Sequence, residues 1–175
     1  MNILNVEIKA RIDEQQYRSI QEYLDHNHTS FKGLDRQSDY YFNTPQGRLK
    51  LRIGNVETSL IYYERKESKD LKSSNIKLYK PVERPLELLE TLKAAYGIKV
   101  EVIKSRLIYY IDNVKFHLDS INNLGTFCEI EAISIENRYS KSELRRSCSY
   151  YMGVLKIKKE SLVSGSYSDL ILSLS

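Results

Sequence analysis

The segment NVEIKARI, residues 5–12, alternates without a break. Val6, Ile8, Ala10 and Ile12 fall on one side of an extended chain, and Asn5, Glu7, Lys9 and Arg11 on the other. The same two-sided pattern returns along the sequence. In LKLRI, Lys50 and Arg52 oppose Leu49, Leu51 and Ile53. In VEVIKSRLIYY, Lys104 and Arg106 share a face, as do His117 and Asp119 in FHLDS. In FCEIEAI, Glu129 and Glu131 oppose Cys128, Ile130 and Ala132, and Arg65 follows on the face of Ile61 and Tyr63. Such a chain is committed to a sheet with one apolar and one charged side.

The charged positions come as i, i+2 pairs of like sign, which repel unless opposite charge lies between them. Lys50/Arg52 and Lys104/Arg106 call for an anion, Glu129/Glu131 for a cation. If the sheet closes, its charged side becomes the lining of a wet cavity, and the apolar side packs against helices. Buried charge without a partner is costly, so such a cavity is expected to be solvated, filled by a charged ligand, or closed by an internal lattice of salt bridges. In such a lattice Lys9 and Arg11 would pair with Glu131 and Glu7. The excess of basic groups on this face favours a polyanion.

Helices are expected between the strands. Asp13 can cap DEQQYRSIQEYLDHN, where Tyr17, Ile20 and Leu24 form an apolar stripe. Pro85 fits the first turn of ERPLELLETLKAAYG and Gly97 its end. Ser140 and Glu143 form a capping-box signature for a third helix reaching about Leu155. A loop is expected around Gly33, a turn at NTPQG, and a polar mobile loop at ESKDLKSSN before IKLYKPV extends again. The order is that of one α+β domain over the 175 residues.

No apolar run approaches the ~20 residues of a membrane span. The opening MNILNVEIKARID has no export signal, so a cytoplasmic protein without membrane association is expected. Cys128 and Cys148 form no C-x-x-C pair and read as buried small residues, not as a zinc or disulfide framework. A net charge of +4 suits an anionic partner. Nucleic acid is disfavoured, because no aromatic stacking platform is present and the acidic groups would repel its backbone. His117 is expected to orient a carboxylate or phosphate, and His26 and His28 to sit at the exposed end of the first helix. Asp119 could also serve by holding Lys104, and Arg65 could lie on an exposed strand edge.

These residues resemble the CYTH superfamily of triphosphate tunnel proteins, which holds class IV adenylyl cyclases, thiamine triphosphatases and inorganic triphosphatases. Within it, the chain is most similar to the class IV adenylyl cyclase-like group. The family's E-x-E-x-K strand motif is matched by NVEIK at Glu7 and Lys9, with Asn5 in place of the first glutamate. QSDYYFNTPQGRLKLR, KSR before LIYYIDNV, HLDSINNLGTFCEIE and SYSDLI match in order.

The resemblance implies a closed, mostly antiparallel eight-stranded barrel with helices outside. It implies triphosphate binding by Lys9, Arg11, Lys50, Arg52, Arg65, Lys104 and Arg106, and catalytic roles for Glu7 and Lys9. Lys72 aligns with a lysine of the cyclase-like loop. Magnesium or manganese would be held by Glu7, Asp119, Glu129 and Glu131. The roles of Tyr167 and Asp169 stay open. The implied partner is a nucleoside, thiamine or inorganic triphosphate, converted by an adenylyl cyclase or a triphosphatase, or held by a non-catalytic binding module. A homodimer is left open. Asn5 brings an amide oxygen but no charge, so a metal held through it should bind more weakly.

Overall fold

The computed structural model describes residues 3–65 and 72–174, and the side chains of Arg65 and of residues 72–75 lie outside that description. The alternating segments become β1 (Ile3–Ile12), β2 (Ser30–Phe42), β3 (Arg48–Gly54), β4 (Ser59–Arg65), β5 (Lys72–Tyr79), β6 (Ile98–Ile111), β7 (Val114–Ile121) and β8 (Gly125–Ile135). They close into an antiparallel barrel of eight strands, ordered β1-β5-β4-β3-β2-β6-β7-β8. Helices α1 (Glu14–Asn27), α2 (Pro85–Tyr96), α3 (Lys141–Val154) and α4 (Tyr167–Leu172) lie around it.

Closure puts the apolar sides outward, under the helices. Val6, Ile8, Ala10 and Ile12 of β1, Phe116 and Leu118 of β7 and Cys128, Ile130 and Ala132 of β8 are buried against Ile20 and Leu24 of α1 and Leu144 and Cys148 of α3. A smaller core seats Leu89 of α2 on Phe42 and Leu51. Asp13 caps α1 through Gln16, and Ser140 and Glu143 form a reciprocal capping box at α3, as their sequence signatures predict. Both cysteines are buried and free. No described helix is long and apolar enough to cross a membrane.

Two expectations change. Gly33 does not lie in a loop but inside β2, at a break in register between Phe31 and Gly33, where its φ of +98° suits a residue without Cβ. The segment expected as the loop ESKDLKSSN is strand from Lys72 onward, because the β1 backbone at Ile3–Glu7 pairs with it, Glu7 opposite Lys72. The rest of that segment, residues 67–71, lies outside the described residues. Beyond Glu7 the C-terminal stretch takes over the free edge of β1, with Ala10 bridging Leu162 and Val163 N donating to Lys9 O at 2.8 Å.

Candidate functional site

Strand register decides which side chains face the lumen. On β1 these are Asn5, Glu7, Lys9 and Arg11, opposite Ile133, Glu131, Glu129 and Phe127 of β8. Glu129 and Glu131 in turn face His117 and Lys115 of β7, and Asp119 faces Arg106 of β6. On the far wall Arg52 of β3 pairs with Asp39 of β2, and Lys104 with Gln37. The charged side of the sequence pattern is thus the barrel interior.

Two ionic clusters fill it. In the first, Asp39 is the hub. Arg52 donates to both its oxygens (Nε–Oδ1 2.8 Å, Nη2–Oδ2 2.9 Å), Lys104 to Oδ2 at 2.7 Å and Lys50 to Oδ2 at 3.0 Å. Burial alone would raise the Asp39 pKa, but Arg52, Lys104 and Lys50 outweigh it and hold the carboxyl well below its usual range. Lys104 is pushed the other way, down to about 7. Burial contributes most, and the charges of Arg52 and Arg106 oppose the help it receives from Asp39.

In the second cluster, Arg106 makes a two-pronged contact with Asp119 (Nε–Oδ1 and Nη2–Oδ2, each 2.6 Å) and reaches Glu129 at 2.8 Å. Lys9 Nζ lies 3.2 Å from Glu129 and 3.8 Å above the Tyr167 ring. His117 Nδ1 lies 3.0 Å from Glu129 Oε2. Burial first, then Arg106, pushes the imidazole down to about 3, so it is neutral at pH 7. A carboxylate only accepts, so Nδ1 carries the proton, and Nε2 is buried without a partner.

At the neighbouring end of β1, Asn5 Nδ2 donates to Glu131 Oε1 at 2.7 Å, and Asn5 Oδ1 is buried without a partner. Burial raises the Glu131 pKa, and Glu7, its cross-strand neighbour, pushes the same way against Lys115. Among the described residues no three carboxylate, imidazole or thiol groups already converge as a cation cage. An orphaned amide oxygen beside two like-charged carboxylates is nevertheless a hard-oxygen donor set, and it fits magnesium or manganese.

The expected residues therefore divide. Lys9, Lys50, Arg52, Lys104, Arg106, Asp119, Glu129 and Glu131 meet inside the barrel. Asp119 has both oxygens engaged, by Arg106 and by the Tyr167 hydroxyl at 2.6 Å, so it holds Arg106 and not Lys104. Arg11 stands apart at one end, exposed, donating to Leu124 O with its guanidinium 4.6 Å from the Phe127 ring. Lys9 pairs with Glu129, not with Glu131. The side chains of Arg65 and Lys72 lie outside the described residues. Asp169 sits at the mouth, where it accepts from Arg48 at 2.9 Å.

Several lumen residues were missed. Asp35, Gln37 and Asp39 lie on β2, Lys115 on β7, and Glu57 in the turn after β3. Glu57 bonds Lys115 at 2.6 Å and Arg52 at 3.2 Å. Their carboxylates correct one inference: the described interior holds acids to match its bases, not a basic excess. Arg48 shares the parity of Lys50 and Arg52, a signal that was available.

A closed barrel with this ion-lined lumen defines a triphosphate-tunnel fold. The chain belongs to the CYTH family, whose domain matches residues 4–167. The fold is similar to that of the PH1012 protein of Pyrococcus horikoshii, with a TM-score of 0.81 and 24% identity over 95% of this chain and 98% of that one. A proposed adenylate cyclase of Vibrio parahaemolyticus shows a TM-score of 0.70 and 16% identity, covering 97% and 98% of the two chains. A proposed adenylyl cyclase of Hippeastrum with a dominant triphosphatase activity shows 0.66 and 14%, covering 100% and 97%. At these identities the likeness speaks for the fold alone. No curated protein sequence matches the chain.

Proposed function

We propose that the protein is a divalent-metal-dependent enzyme that binds a triphosphate in the barrel and cleaves one of its phosphoanhydride bonds. The observation that carries this is the gathering of Lys50, Arg52 and Lys104 on one buried carboxylate, with Lys104 only 3% exposed. Gathering three cations inside a barrel costs several kcal/mol in desolvation, and hydrophobic residues would fill the space at less cost. Phosphate oxygens are the ligand such a cluster suits, because arginine grips them with two nitrogens and lysine as a point charge.

In this reading Asp39 stands where a phosphate would bind, and Lys50, Arg52 and Lys104 turn to the substrate when it enters. Lys9 and Arg106, already oriented by Glu129 and Asp119, hold the neighbouring phosphate. Glu7, Glu131 and the Asn5 oxygen would hold magnesium or manganese, which supplies charge neutralisation and polarises phosphate oxygens when bound. Neutral His117 offers its Nε2 lone pair to a protic group in the lumen.

The acceptor distinguishes two products. Attack by the ribose 3′-hydroxyl of ATP on the α-phosphorus releases pyrophosphate and forms cyclic AMP. Attack by water on the terminal phosphorus of thiamine triphosphate or tripolyphosphate releases phosphate. The test is product analysis with ATP, tripolyphosphate and thiamine triphosphate, each with magnesium or manganese, beside a Glu129→Gln, Glu131→Gln double variant. Cyclic AMP or phosphate that disappears in the variant supports an enzyme. Tight triphosphate binding with no product would mean a binding module, and absence of binding would overturn the reading.

A further inference from the structure

Glu57 lies in the turn between β3 and β4, yet its half-buried carboxylate turns back over the barrel. Oε2 accepts from Arg52 on β3, and Oε1 from Lys115 on β7. In the barrel order β2 and β6 stand between those two strands, so Glu57 bridges walls that are not neighbours and spans the lumen at one end. It is a crossbar made of a single charged side chain.

The turn is built to keep it there. Buried Asp35 accepts from the backbone N–H of Val56 at 3.0 Å and of Glu57 at 2.9 Å, and from Gln37 Nε2 at 2.6 Å. Asn55 ties the turn to β2, donating to Leu34 O and accepting from Arg36 N. Gly54 leaves the room this requires, since a Cβ there would lie 2.4 Å from Asp35 Oδ1. Arg52 divides its nitrogens, giving Nε and Nη2 to Asp39 and Nη1 to Glu57. The hub where the triphosphate reading places phosphate and the crossbar therefore share one guanidinium.

We propose that Glu57 sets substrate length: it is a negatively charged stop that confines the barrel to short phosphate chains and excludes longer linear polyphosphates. This rests on the triphosphate reading. A chain lying along Lys50, Lys104 and Arg52 meets at its far end a fixed carboxylate instead of an open mouth. One more phosphate there would face like charge and would have to break the Arg52 and Lys115 contacts. Burial works against ionisation of Glu57, but Lys115 and Arg52 prevail and keep it charged at every pH at which a polyphosphate would be offered.

The experiment is calorimetric titration of the full chain and of Glu57→Gln with magnesium and, separately, pyrophosphate, tripolyphosphate and a long-chain polyphosphate. The native protein should prefer tripolyphosphate over the long chain. Glu57→Gln releases Arg52 for every chain length, and should raise long-chain affinity about tenfold more than tripolyphosphate affinity, since like charge at a binding site costs that order of free energy. Glu57→Asp, which withdraws the charge by one methylene, should fall between the two, and it guards against loss of the turn in Glu57→Gln. An equal gain for every length would show that Glu57 only competes for the cations, and would overturn the stop. So would an unchanged preference with binding intact. If neither protein binds any of the three, the triphosphate reading fails first, and the stop with it.

Discussion

Asn5 shows how one atom changes the meaning of a motif. Its amide donates to Glu131, which a carboxylate at that position could not do, so it quiets the repulsion between Glu131 and Glu7 without any cation. Asn5→Glu should therefore act in two directions at once. Without metal it exchanges a hydrogen bond for like-charge crowding and should lower stability by about 1–3 kcal/mol. With magnesium it supplies the missing anionic ligand and should tighten binding. Thermal melts of both proteins across a magnesium titration check this: the variant should start lower and rise more steeply. An identical magnesium response would remove Asn5 from the metal site. The same position shows what was legible at this scale. Parity placed Asn5 and Glu7 in the lumen, but it could not show that the amide nitrogen, and not its oxygen, would turn to Glu131.

Among the elements, strands with one apolar side were legible and those without were not. β1, β3 and β8 announce their lumen faces because every second residue is aliphatic. β2 carries QSDYYF, where Gln37, Asp39 and Tyr41 point inward and Ser38 and Tyr40 outward, so polar and aromatic residues fall on both sides and parity gives no direction. Asp39 was lost for that reason, and Glu57 because a turn has no parity at all. The short helix α4 was legible only as a closing segment, yet it lies at the rim of the opposite end of the barrel. Ser166 and Asp169 cap it reciprocally, Arg48 bonds both, and Tyr167 reaches down to Asp119 beneath the Lys9 ammonium. Tyr167→Phe takes from the buried Asp119 Oδ2 one of its two donors, leaving Arg106 as the other. It should cost about 1–3 kcal/mol and speed amide exchange over residues 166–173. Exchange rates unchanged from the native protein would mean that the Arg48 contact alone seats the helix.

For the whole molecule, an ion-filled lumen ties folding to pH more tightly than a hydrocarbon core would. Asp39 and Glu129 are each buried, which alone would raise their pKa values, and each is brought below the ordinary range by the cations around it: Arg52, Lys104 and Lys50 for Asp39, Arg106 and Lys9 for Glu129. A carboxyl whose folded pKa is depressed contributes stability that is present above its unfolded value of about 4 and is lost as pH falls through the folded value. Here the losses reinforce one another, because protonating Asp39 leaves Lys50, Arg52 and Lys104 facing each other. Neutral His117, its pKa held down to about 3, adds a loss that begins below its unfolded value of about 6.5, so urea denaturation should show stability falling from about pH 6.5 and most steeply below about pH 4. Asp39→Asn should bring that penalty to pH 7, costing about 3–5 kcal/mol, because it removes the anion and leaves the cations buried. Tripolyphosphate then separates a structural lattice from a binding site. If the cluster is built for phosphate, the anion should restore most of the stability lost in Asp39→Asn, and at a hundredfold excess over its Kd it should return about 2.7 kcal/mol. Urea curves for the variant with and without tripolyphosphate at pH 7 decide the matter. Coincident curves would mean that Asp39 and its three cations only hold the barrel together.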